Sequence, residues 1–322
     1  MQSTKKRLIS GVKPTGRPHI GNYFGAMKQF VDLQDTYETF VFIADLHALN
    51  SIQDKEEMAN LSKQLILDYL GIGLDPEKIV LFKQSSVPAH TQLTWIFDTL
   101  VTVPFMMRAH AYKDAVAKDL EPSMGLFNYP VLMAADILMY DADVVPVGKD
   151  QKQHIEYARD IAGKFNNQYG DQFKLPNELI LEDVETVPGT DGQKMSKSYG
   201  NTIPLFGTDE EIRKAVMSIA TDSRGKDEEK DPNDLVVYQI HKLFNSSSEL
   251  RAQYTKGLGY GDAKKILIED IITFVTPMRE RRKQYENDPK LVQEILLKGA
   301  MRANDIAMKK LTTVYEAIGL TE

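Results

Sequence analysis

Hydrophobic positions recur along this chain in two periods, and the change from one to the other outlines the fold. Leu8-Ile9, residues 40–44 and residues 79–82 are short apolar runs, the pattern of strands covered on both faces. Between the first two, Phe24, Met27 and Val31 repeat at helical spacing, with Lys28 and Gln29 on the other side. Residues 56–70 carry the next helical pattern, and Gly71 is placed to close it. This β-α-β-α-β order predicts an α/β fold with a Rossmann-like, doubly wound parallel sheet, which binds ligands beyond the carboxyl ends of its strands. Residues 90–140 read mainly as helix. Residues 143–147, with Val144, Val145 and Val147, return to the sheet, and a helix follows over about 150–165.

From Thr208 the texture changes. Thr208-Asp209-Glu210-Glu211 has the form of a helix start, followed by Ile212, Val216 and Ile219 at helical spacing. Residues 222–234 are charged, hold Gly225 and Pro232, and read as a loop. Helical patterns then run to the end, the longest over 291–318. The expected organisation is a catalytic domain with inserted helices over residues 1–205, then a helical region over 206–322 whose last helix is free to pack back on the catalytic domain. No internal repeat or low-complexity segment stands out.

Composition narrows the chemistry. The chain has 322 residues, 42% hydrophobic and 26% charged, which suits two folded domains. With no cysteine, disulfides, thiolate nucleophiles and cysteine-held metals are excluded, and a cytoplasmic setting fits. The basic start, Met1 to Arg7, has no long apolar stretch behind it, so neither a secretory signal nor a membrane span is expected. A net charge of −7 weighs against general nucleic-acid binding but leaves room for a local basic face. Arg279, Arg281, Arg282 and Lys283 form one basic cluster, which at helical spacing reads as a solvated face rather than an RNA contact.

Two turns carry candidate chemistry. The first, Ser10 to Asn22, lies between a strand and a helix and contains Gly11, Gly16 and Gly21. A helix N-terminus presents unpaired N–H groups and partial positive charge, which favour an anion. Gly11 and Gly21 remove side chains where a nucleotide must lie on backbone, and His19 and Asn22 can bond phosphate or ribose. Read alone, the segment is equally an ordinary turn with Asn22 as helix cap. The second, Lys194-Met195-Ser196-Lys197-Ser198, follows Gly189-Thr190-Asp191-Gly192-Gln193. Lysine is a mobile point charge suited to phosphate oxygens, and the glycines let such a loop turn.

Together these segments resemble the paired signatures of class I aminoacyl-tRNA synthetases. His19-Ile20-Gly21-Asn22 is similar to the HIGH motif, with Asn in place of the last His, and residues 194–198 match KMSKS without a mismatch. Gly21-Asn22-Tyr23, Met133 to Leu138, Pro146-Val147-Gly148 and Asp150 to Glu156 narrow the resemblance to bacterial-type tryptophanyl-tRNA synthetases, over about residues 7–320. The resemblance implies a cytoplasmic homodimer that uses ATP, Mg²⁺, L-tryptophan and tRNA(Trp), with the helical region contacting the anticodon and no membrane partner. It places Lys13, Pro14, Thr15, Gly21, Asn22, Gly148, Lys149, Asp150, Val187 and residues 194–198 at ATP. Lys194, Lys197, His19 and Asn22 would serve catalysis, with no protein metal ligand assigned. Many members carry Gln at the position of Lys13 and an acid at that of Lys149, so their side-chain roles here are open.

The same resemblance implies a tryptophan pocket of Gly11, His47, Met133, Asp136, Val145, Val147 and Gln151. Tyrosine enzymes commonly show Tyr, then Gln four residues on, then Asp three further. Here Tyr129 and Asp136 keep that spacing while Met133 replaces Gln. A thioether packs well on an indole. Asp136 can accept from an indole N–H, but also from a phenol. A tyrosyl-tRNA synthetase, a small adenylyltransferase and a non-catalytic tryptophan- or RNA-binding paralogue stay open as alternatives. In an unrelated α/β protein Met133, Val145 and Val147 would simply be core.

Overall fold

The computed structural model describes residues 5–146, 152–179, 187–225, 228 and 231–321. Strand β1 (Arg7–Val12) leads through the first glycine turn into α1 (Ile20–Asn22), a π-helical turn (Tyr23–Met27) and α2 (Lys28–Leu33). There follow β2 (Glu38–Ile43), α3 (Asp45–Ala48), α4 (Lys55–Ile72), β3 (Ile79–Lys83) and α5 (Ala89–Asp98). Helices α6 (Val103–Met106), α7 (His110–Ala117) and α8 (Met124–Leu138) precede β4 (Val144–Pro146), α9 (Lys152–Tyr169) and β5 (Asn177–Leu179). The rest is helical: α10 (Asp209–Met217), α11 (Val236–His241), α12 (Ser248–Thr255), α13 (Tyr260–Asn287) and α14 (Pro289–Ile318).

The sheet is parallel in the order β3-β2-β1-β4-β5, so the chain winds outward from β1 in both directions. Side-chain alternation explains the apolar runs. Leu8, Val41, Ile43, Ile79 and Leu81 join one core, while Ile9, Phe40, Phe42, Val80 and Phe82 join the other. The first core continues without a break into α10, α11, α12 and α13; the second is closed by α5, α8, α9 and the later turns of α14. Strand β5 is absent from the sequence expectation. Its three residues include Asn177 and Glu178, and a short polar edge strand carries no apolar signature.

Glycines set two close approaches. Helix α4 runs past Gly71 and is closed by Gly73 in the left-handed conformation, φ 109°, which corrects the expected stop. Gly71 instead lets α13 come close, since a Cβ there would lie 2.8 Å from the Cβ of Arg282. The arginine cluster is likewise not a solvated face. Arg282 Nε donates to buried Asp68 at 2.7 Å, Arg281 Nε to the Gly71 carbonyl at 3.1 Å, and Arg279 Nη1 to Asp209 at 2.6 Å. These bonds lock α13 onto α4 and α10. The second approach is at the sheet edge, where α14 covers β3. A Cβ on Gly299 would sit 1.9 Å from the Leu81 carbonyl oxygen.

That contact yields a stability prediction. Gly299→Ala must push α14 off the edge strand, at a cost of about 1–3 kcal/mol from overpacking. Gly163→Ala is the control: its Cβ meets nothing within 4 Å inside α9, and alanine is the better helix former. Denaturant unfolding should separate the two variants by sign. Equal stability of Gly299→Ala and the parent would rule the close approach out.

Candidate active site

The turns after β1, β2 and β3 lie together at the carboxyl edge of the sheet, because the three strands are adjacent and parallel. His19 caps α1. Its Nδ1 accepts from the Asn22 N–H at 3.3 Å while Asn22 Oδ1 accepts from the His19 N–H at 3.1 Å. Asn22 is therefore the third helical residue of a reciprocal cap, not the cap itself. With Nδ1 accepting, the imidazole proton sits on Nε2. Burial and the nearby Lys197 charge lower the His19 pKa to about 4, so the ring is neutral at pH 7.

The signature loop is bound to this turn. Ile20 N–H donates to Ile203 O and Leu205 N–H to Pro18 O, both at 3.0 Å. Met195 is buried, and a Cβ on Gly21 would lie 2.9 Å from His19 Nδ1 and 3.2 Å from the Met195 Cβ, so Gly21 eases the close packing of the two motifs. Lys197 Nζ donates to the Thr15 carbonyl at 2.9 Å. Lost hydration lowers the pKa of Lys13 and, against the pull of Asp68, that of Lys197. Residues 187–195 form a hairpin: Met195 N–H donates to Val187 O at 2.9 Å, and the turn passes Gly192 at φ 83°. Val187, at the start of this hairpin, is buried in the first core, and Ser196 Oγ lies 2.8 Å from Ser198 Oγ. Lys194 and Ser198 are exposed, as are Lys13 and Thr15, while Pro14 is buried.

A second cluster surrounds Asp136, which is 1% exposed. Its carboxylate accepts from His47 Nε2 at 2.9 Å, from Gln84 Nε2 at 2.8 Å and from His90 Nδ1 at 2.5 Å, and His90 Nε2 meets the Tyr140 hydroxyl at 2.9 Å. Burial raises the Asp136 pKa, but His90 and His47 outweigh it and hold the group well below the ordinary carboxylate range. His47 Nδ1 is buried without a hydrogen-bond partner. Tyr129, two turns before Asp136 on α8, bridges the clusters: its ring meets His47 edge-on at 6.2 Å and lies 5.7 Å from Lys13 Nζ. Met133 is half-buried and Val145 buried in the same core, and a Cβ on Gly11 would strike the Phe42 ring at 2.3 Å. Val147, Gly148, Lys149, Asp150 and Gln151 lie outside the described residues.

Gln84, His90 and Tyr140 are absent from the sequence reading. Gln84 did carry a signal, since it follows a strand at the ligand edge. His90 among the apolar positions of α5 carried none. Among the described residues no group of three or more His, Asp or Glu side chains could hold a metal ion. The charged side chains of the first glycine turn and the signature loop are lysines and an arginine, so the chain's described side chains do not provide a donor set for Mg²⁺ there.

The His19 pKa has a consequence for stability. An unfolded His19 takes up a proton near pH 6.5, whereas the folded one resists until about pH 4. The unfolded state therefore binds more protons across this window, and stability is lost as pH falls through it. His19→Asn, which keeps a capping acceptor, should flatten the fall in urea midpoint between pH 6.5 and 4 relative to the parent. Identical slopes for the two proteins would show that His19 does not contribute.

Comparison with known proteins identifies the family. The family model for tRNA synthetases class I (W and Y) matches residues 1–276. The tryptophan–tRNA ligase of Fusobacterium nucleatum is 50% identical over 320 residues, covering 98% of each chain, and that of Rhodopirellula baltica is 47% identical over 98% of this chain and 99% of its own. The tryptophanyl-tRNA synthetase of Campylobacter jejuni, solved with ADP and tryptophan, superposes with a TM-score of 0.92 at 46% identity, over 98% of this chain and 100% of that one. On these grounds the chain belongs to the bacterial tryptophanyl-tRNA synthetases, within the class I family of tryptophan and tyrosine enzymes.

Proposed function

We infer that this protein is a tryptophan–tRNA ligase. The observation that carries the reading is the seating of the lysine loop on the His19–Asn22 turn, where two separated motifs build one cationic edge. A tryptophan carboxylate oxygen attacks the α-phosphorus of ATP. The P–O bond to the β-phosphate breaks, and pyrophosphate leaves with the electron pair. The ribose hydroxyl at the tRNA 3′ end then attacks the activated carbonyl, loses its proton as the ester forms, and AMP departs. Neither step needs a protein nucleophile, so positioning and charge carry the catalysis.

The proposed roles follow the chemistry of each group. Lys194 and Lys197 neutralise the leaving pyrophosphate, joined by Ser196 and Ser198. Neutral His19 donates from Nε2 to phosphate without adding charge, held by Asn22. Lys13, Pro14, Thr15 and Gly21 line the ATP turn, with Val187 toward the base and Gly148, Lys149 and Asp150 toward the ribose. In the amino-acid pocket Asp136 accepts the indole N–H, Met133, Val145 and Val147 pack on the ring, and Gly11 lies beside it. The bare His47 Nδ1 supports a contact with the substrate ammonium, shared with Gln151. ATP-bound Mg²⁺, a homodimer, a cytoplasmic setting and anticodon contact by residues 206–322 complete the proposal. Among the described residues no helix is long and apolar enough to cross a membrane.

ATP–pyrophosphate exchange tests the reading directly. Tryptophan should support exchange and tyrosine should not; exchange with tyrosine alone would reverse the specificity. Lys197→Ala should reduce kcat by roughly 10²–10³, the loss typical of one preorganised charge-stabilising group, in a protein that still folds. Unchanged exchange in that variant would remove the loop from catalysis.

A further inference from the structure

Asn201, three residues beyond the signature lysines and serines, is 3% exposed and hydrogen-bonded on every side. Its Oδ1 accepts from the Ser196 N–H at 2.8 Å. Its Nδ2 donates to Asp191 Oδ1 at 2.7 Å and to the Lys194 carbonyl at 3.2 Å. Its own carbonyl accepts from the Thr190 N–H at 2.9 Å. Asp191 Oδ1 also accepts from the Gln193 N–H at 3.0 Å. One amide thus grips the backbone immediately before and after Met195, and ties both to the turn at the hairpin tip.

The seat is built for this side chain. A Cβ on Gly189 would lie 2.2 Å from the Asn201 Nδ2, so any larger residue at 189 would expel the amide. The bonding pattern needs an acceptor and a donor on one planar group, which a carboxylate or an alkyl side chain cannot supply. Backbone held at 194 and 196 fixes where the Lys194 and Lys197 stems begin. Met195 between them is pinned beside Gly21, and the chain leaving Asn201 pairs with residues 18–20 through Ile203 and Leu205.

We propose that Asn201 is a positioning residue for adenylate formation, which acts through the backbone of Lys194 and Ser196 to set both lysines against the departing pyrophosphate. The proposal rests on the role given above to those lysines. A side chain that tightens charge placement at the leaving group is felt in the transition state more than in tryptophan binding, so its loss falls on kcat.

The test is tryptophan-dependent ATP–pyrophosphate exchange on the full chain, with far-UV circular dichroism to verify folding. Asn201→Ala should lower kcat by about 10²-fold, comparable to removal of one preorganised group, with the KM for tryptophan within about twofold of the parent. Gly189→Ala, which leaves Asn201 in place but displaces its amide, should reproduce that loss. The double variant should be little worse than either single one, because both break the same interaction. Asn201→Asp should be as poor as Asn201→Ala, since it sets a second carboxylate against Asp191; adding Asp191→Asn should recover part of the rate. Parental kcat in Asn201→Ala, while Lys197→Ala is impaired, would overturn the proposal and leave the loop reading standing. Unimpaired Lys197→Ala would overturn both. A loss spread equally over kcat and the tryptophan KM, with no recovery in the paired substitution, would reduce Asn201 to a structural role and also overturn the proposal.

Discussion

The contact between Gly21 and Met195 is the constraint on which the site depends. It joins two segments more than 170 residues apart in the chain, and the absence of a side chain at position 21 keeps it free of crowding against Met195 and the His19 ring. Around it the backbone is stitched at Ile20–Ile203 and Leu205–Pro18, which sets the signature loop over the end of β1. Burying Met195 supplies the apolar anchor that an otherwise polar, glycine-flanked loop lacks. Without that anchor, the backbone carrying the exposed Lys194 and Lys197 would be a free turn, and neither cation would be held in place.

The anchored arrangement gathers like charges. Lys197 and Arg17 both lie in the field of buried Asp68, and Arg17 is paired with Glu211 through bonds of 3.0 and 3.2 Å. Asp68 is itself bonded to Arg282 and reaches Lys197 only through its field. The lowered pKa values of Lys13, Lys197 and His19 express the same fact: these groups have lost hydration without gaining an equivalent partner. In the proposed reading a polyphosphate supplies that partner. Keeping His19 neutral limits the repulsion that a third cation beside Lys197 would add, while its Nε2–H still offers a hydrogen bond. The arrangement favours an anion before one arrives, which is what preorganisation means energetically.

Much of the fold was legible in the sequence, for physical reasons that also mark where legibility stops. Residues 40–44 and 79–82 announced themselves because a parallel strand buries both faces. Thr208 with Glu211 announced α10 because a capping box is local chemistry, and both bonds are present. Strand β5 did not, being short, polar and held only by its neighbour. Gly71 was misread as a helix stop because the true reason for a glycine there is Arg282, more than 200 residues away. Arg279, Arg281 and Arg282 looked solvated for the same reason: periodicity shows a face, not what is packed on it. In the site, motif residues such as His19 and Lys197 were visible, whereas Gln84, His90 and Asn201 act through partners that only the folded chain brings within reach.

The Asp136 cluster shows how such hidden partners shape recognition. Three protein donors already occupy the carboxylate, two of them histidines, and the group is shut from water. An unpaired buried carboxylate would tend to take up a proton; this one is held ionised and can only accept. A ligand group reaching it must be a donor, and an indole N–H is a donor and nothing else. A phenol could also donate, so Asp136 alone does not separate tryptophan from tyrosine. Discrimination then falls to the surrounding walls. In the proposed pocket, half-buried Met133 and buried Val145 offer thioether and aliphatic surface where tyrosine enzymes commonly place a polar amide one turn before the acid. In the tryptophan reading, the acid fixes the polar edge of the ring and the walls fix its size. His90 and Gln84 contribute by keeping that acid in one charge state and one orientation.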